Sequence, residues 1–157
     1  MNSTLPELMH ARVAALGVAI GLDPLVMDDD DQLGFELGDG LSMQLSSEPE
    51  HEAFLLFGVA GALPMPADAG LLIDLLQGNF GWRDTQGATI SLDGDSPPNV
   101  VVAQRLFWAT LTDERFLTAW NGLGDLLADL KTWLVAKEGA TLEAAESPTG
   151  PRPGGFA

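Results

Sequence analysis

Hydrophobic and polar positions divide this chain into segments of different period. Leu5, Leu8, Met9, Val13, Leu16 and Ile20 recur at helical spacing and share one face. Thr4-Leu5-Pro6-Glu7 matches a capping box, with Pro6 in the first turn. The period then falls to two. Leu33, Phe35 and Leu37 alternate between Gln32 and Leu37, Gly38-Asp39-Gly40 turns the chain, and Leu41, Met43 and Leu45 alternate with Ser42 and Gln44. A second turn, "SSEPE", precedes a run from Phe54 to Val59 that is apolar at both parities. The pattern predicts a three-stranded antiparallel meander. Its third strand is expected to be covered on both sides, by the core on one and by something else on the other.

Pro64 and Pro66 introduce a short helix predicted over 67–77, stopped by Gly78. Leu71, Leu72, Ile73, Leu75 and Leu76 give it more apolar surface than covering one sheet requires. Either a second copy of the chain takes the surplus, or the helix is sandwiched within one domain. A hairpin follows. Ala88, Ile90 and Leu92 alternate in its first strand, and Asn99 to about Trp108 form the second. Its unalternating Val100-Val101-Val102-Ala103 reads as a central strand covered on both faces. Thr112 then caps a third helix with Asp113 and Glu114 in its first turn. Phe116, Trp120, Leu123, Leu127, Leu130 and Leu134 form a narrow stripe suited to packing on a sheet. From Gly139 periodicity is lost, and a disordered tail is expected. The fold class is therefore α+β, in the order α-β-β-β-α-β-β-α. A twisted, largely antiparallel sheet carries the helices, in one domain over 1–138 with a tail over 139–157.

Charge narrows the range of partners. The net charge is −16, and between Val13 and Trp82 twelve Asp and Glu face no Lys or Arg. Such a chain repels nucleic-acid phosphates and anionic membrane surfaces. The longest uncharged run, residues 53–67, is too short and too broken by proline to span a bilayer. Arg12 lies within the apolar arc of the first helix; either it snorkels from the edge or that helix is not fully covered by its own core.

The search for chemistry is largely negative. With no cysteine, disulfides and thiolate sites are excluded. His10 and His51 lack partners at metal-ligating spacing. The run from Asp28 to Asp31 fails as a calcium loop: with Asp29 first, Gly34 falls at the required glycine, but Leu33 and Gly40 occupy ligand positions. "DGDSPPN", residues 93–99, reads as a stiff turn. No nucleophile elbow, P-loop or dinucleotide fingerprint is present. We expect no enzyme, no metal and no cofactor.

Three ordered stretches carry a family resemblance: Leu75-Leu76-Gln77-Gly78-Asn79, Gly87-Ala88-Thr89-Ile90-Ser91-Leu92-Asp93, and Val100-Val101-Val102-Ala103-Gln104-Arg105-Leu106. Together with the element order, size and acidity, over roughly residues 3–137, the chain resembles the class I chaperones of bacterial type III secretion. The resemblance implies a cytoplasmic homodimer that binds the N-terminal segment of a secreted effector in extended form and hydrolyses no nucleotide. On this reading Leu71, Leu72, Leu75 and Leu76 are dimer contacts, and Leu5, Leu8, Phe35, Met43, Phe54 and Leu56 contact the effector. Apolar grooves would take effector side chains, helped by strand addition at a sheet edge. Which strand faces point inward stays open, because a shift of one residue exchanges them. The alternative is an acidic regulatory or scaffold module of the same fold that binds a folded protein.

Overall fold

The computed structural model describes residues 7–146. The chain forms helix α1 (Glu7–Ile20) and strands β1 (Gln32–Gly38), β2 (Leu41–Glu48) and β3 (Ala53–Ala62). Helix α2 (Ala69–Gly78), strands β4 (Thr89–Leu92) and β5 (Asn99–Phe107), and the long helix α3 (Asp113–Glu146) follow. The expected order is present, and every strand pairing is antiparallel in one five-stranded sheet, β1-β2-β3-β5-β4. The capping box at Thr4 lies outside the described residues.

Helix ends are set locally. α1 stops at Gly21, whose φ of +76° is the left-handed conformation glycine tolerates. The Leu22 and Gly21 N–H groups donate to the Gly17 and Val18 carbonyls, closing a Schellman motif. Asp68 caps α2, its Oδ1 accepting from the Leu71 N–H at 2.7 Å. The Asn79 side chain pins the other end of α2 to β4. It donates to the Ile90 carbonyl at 2.9 Å and accepts from the Ile90 N–H at 2.8 Å.

α3 lies across one face of the sheet. It comes close to the backbone at Gly58, where an added Cβ would sit 2.5 Å from Leu127 Cδ1 and 2.7 Å from the Ser42 carbonyl oxygen. Met43, Leu45, Phe54, Leu56, Val100 and Val102 are fully buried beneath it. Phe54 stacks on Phe116 with ring centroids 5.8 Å apart, and Phe35 meets Trp120 edge-on at 4.4 Å. Such pairs add about 0.5–1.5 kcal/mol beyond area burial. α1 packs against α3 through a row that includes Met9, Val13 and Leu16. Arg12 reaches from α1 to the start of α3, where its guanidinium donates to Asp113.

Two expectations change. β2 runs through Ser46 to Glu48 where a turn was expected, because these residues continue the ladder against Ala53–Leu55 of β3. α3 continues through Gly139 to Glu146, where a tail was expected. The segment after Gly139, "ATLEAAE", lacks an apolar stripe but is built of strong helix formers, so propensity extends the helix without a core face. Residues 147–157 lie outside the described residues.

The turn "DGDSPPN" is organised by Asp93. Its carboxylate accepts from the N–H groups of Asp95 and Asn99 and from the Asn99 side chain. These bonds, the Asn99 N–H foremost, hold its pKa below the ordinary value. Asp28 does the same in the acidic run, accepting from the N–H groups of Asp30 and Gln32. Both loops use their acids to close turns.

Candidate functional site

The sheet has two unlike faces. Cross-strand partners point the same way, so the register sorts every side chain. Phe35, Met43, Leu45, Phe54, Leu56, Val102 and Ile90 lie on the face under α3. On the opposite face, Phe57 lies between Gln44 and Ala103, Val59 between Ser42 and Val101, and Leu55 between Ser46 and Arg105. Leu55, Phe57, Val101 and Ala103 are half-buried by their neighbours, while Val59 is 39% and Phe107 53% exposed. No helix of the described chain covers this stripe. Ser42, Gln44 and Ser46 border it on the β2 side, and Thr89 and Ser91 on the β4 side.

A charged clasp closes one end of the stripe. Arg105 donates through Nε and Nη2 to the Glu48 carboxylate, at 2.6 and 3.2 Å. These bonds pull the Glu48 pKa below its ordinary value and raise that of Arg105. His51 Nδ1 stands 4.0 Å from the same carboxylate.

Four expected effector contacts are corrected by this geometry. Phe35, Met43, Phe54 and Leu56 belong to the core and have no surface to offer. They were assigned to the wrong parity: in β3 the available residues are their immediate neighbours Leu55, Phe57 and Val59. Gly58 and Ala60 carry the sequence signal that separates the two sets. Small residues on the parity of Phe54 and Leu56 mark where a helix can come close. Leu5 lies outside the described residues, as does the side chain of Leu8.

The four leucines of α2 also separate. Leu71 and Leu75 are buried against the chain's own core, which corrects their assignment as dimer contacts. Leu72 is half-buried and Leu76 is 69% exposed. Ile73 and Phe80, which sequence reasoning left out of the interface, are exposed beside them, Phe80 at 90%. The outward row is therefore Leu72, Ile73, Leu76 and Phe80.

Among the described residues no group of three or more His, Asp or Glu is placed to hold a metal. No described helix is long and apolar enough to cross a membrane. An open apolar sheet face and an apolar helix row on a strongly acidic chain suit the binding of another protein.

Comparisons with known proteins sharpen that class. The family model for the Tir chaperone protein (CesT) family matches residues 13–131. No curated protein matches the sequence. Among solved structures, the chain is similar to one in the ExsC–ExsE complex, with a TM-score of 0.67 and 20% identity, covering 85% of this chain and 97% of that one. It is similar to a chain of the HopA1–SchA chaperone–effector complex at TM-score 0.66 and 17% identity, covering 82% and 99%. A chain of the heterodimeric ExoU–SpcU complex from the type III secretion system of Pseudomonas aeruginosa matches at TM-score 0.62 and 16% identity, covering 80% and 97%. The chain belongs to the Tir chaperone protein (CesT) family.

Proposed function

We propose that this chaperone holds the N-terminal segment of a secreted effector, in extended form, along the open sheet face and keeps it soluble and competent for secretion. The uncovered stripe of Leu55, Phe57, Val59, Val101 and Phe107 carries this reading. A stripe of that kind, central on the sheet and rimmed by Ser, Thr and Gln, suits burial of a partner's apolar side chains. The ExsC–ExsE, HopA1–SchA and ExoU–SpcU structures support it by analogy. The chaperone works non-enzymatically in the bacterial cytoplasm. It acts as a homodimer whose contact is the outward row Leu72, Ile73 and Leu76 of α2 together with Phe80 just beyond the helix.

The test is a pull-down from the native host with mass spectrometry, using the natural chain and the double variant Val59→Asp, Phe107→Asp. The natural chain should recover a secreted protein through its N-terminal segment, and the variant should lose it while remaining folded by circular dichroism. Recovery of a folded enzyme or transcription factor, or equal recovery by the variant, overturns the reading.

A further inference from the structure

Away from the open sheet face, α2, the loop after it, β4 and α3 line an open slot of ≈ 250 Å³. Its walls are Leu75, Ile90, Leu126, Leu130 and Trp133. The volume is below the roughly 300–1,000 Å³ of small-molecule sites and suits a single side chain. Two carboxylates, Asp74 on α2 and Asp84 in the loop before β4, belong to its lining. So does Thr85, only 3% exposed, whose hydroxyl has no hydrogen-bond partner among the described residues. A buried hydroxyl without a partner is uncommon enough to call for an explanation.

The charges around the slot are unbalanced. Lys137 on α3 stands 3.6 Å from Asp74, with its ammonium 5.4 Å from the centre of the Trp133 ring. The pair is about half exposed and so held only weakly. Asp84 has no ion-pair partner among the described residues. The site therefore has apolar walls for a hydrocarbon stem, an indole that already tolerates a cation, and one uncompensated carboxylate.

We propose that this slot takes one arginine side chain of the client segment, with its methylenes against Leu126, Leu130 and Trp133 and its guanidinium toward Asp84. The proposal rests on the effector-binding reading and adds a fixed point to it: the apolar stripe accepts many sequences, whereas the slot selects for a basic residue. Arginine suits the slot better than lysine because its planar fork is less strongly hydrated and stacks on aromatic rings.

The test needs no client. The ¹⁵N-labelled chain is titrated with N-acetyl-arginine methylamide and with the citrulline counterpart, which has nearly the same shape and no charge. Saturable shifts should appear at the Gly78 and Thr85 amides and the Trp133 indole N–H. Citrulline should bind about threefold or more weakly. Asp84→Asn should bring arginine down to the citrulline level. Lys137→Gln, which removes the competing cation, should strengthen arginine binding; a merely damaged fold would not. Equal binding of the two amides, shifts confined to other surfaces, no saturable shift at all, or no gain with Lys137→Gln overturns the proposal. Any of these failures leaves the sheet-face reading standing, since that reading is judged by client recovery with Val59→Asp, Phe107→Asp.

Discussion

The two faces of β3 are built from one strand and from residues of similar hydropathy, yet they have opposite fates. Under α3, Phe54 and Leu56 are sealed by a helix that descends onto Gly58. One residue away in sequence, Leu55, Phe57 and Val59 form a comparable row that no helix covers among the described residues. Apolar character alone does not place a residue in the core. The small residue that lets a helix approach decides which face is closed, and the other is left as binding surface.

The sharpest way to break this comparison is to truncate one aromatic on each face. Phe54→Ala should cost about 3–5 kcal/mol, since it removes a stacked ring from a closed core. Phe57→Ala should cost about 1 kcal/mol, because the ring is half in water already. Urea unfolding measures both, and similar losses would show that the open face is also structural. Next in size is Gly58→Ala, whose Cβ has to displace Leu127 and press on the Ser42 backbone oxygen. A loss of about 1–3 kcal/mol is expected; a neutral result would mean that α3 does not seal the sheet there.

On α2 the same division can be tested by association. Leu76→Asp should convert dimers to monomers by light scattering while leaving the chain folded by circular dichroism, whereas Leu75→Asp should unfold the chain. A dimer that survives Leu76→Asp places the contact elsewhere. The smallest effect belongs to the clasp at the end of the open face. The Glu48 pKa is lowered in the folded chain, so its stabilisation is present above the unfolded value, about 4.3, and is lost as pH falls through the folded value. Glu48→Gln should therefore remove a small stabilisation at neutral pH and flatten the loss of stability below that range, as read from acid titration of the unfolding midpoint.

The meander, the second hairpin and the sheet-packing helix are legible because alternation and the 3.6-residue period are clean in β2 and α3. The parity of β3 is harder to read, because both of its faces are apolar; Gly58 and Ala60 hint at it, and pairing with β2 assigns it. Leu45, on the inward row of β2, sits opposite Leu56, and polar Gln44 sits opposite Phe57. The family was legible from three short stretches, and the structure gives several of their residues work: Asn79 holds β4, Arg105 holds Glu48, and Leu106 enters the core. The slot at Asp84 was not legible, because it gathers residues from α2, the following loop, β4 and α3.

The bond pair from Asn79 to Ile90 has a consequence for self-association. Ile90 is mid-strand in β4, and its N–H and C=O point away from β5, where another chain would attach. One amide side chain fills that place, leaving β1 as the open outer strand of the sheet. A molecule with one open border can be joined there once. Should two copies meet along β1, neither has a second open sheet border to offer a third, so strand-to-strand growth stops there instead of continuing into a fibril.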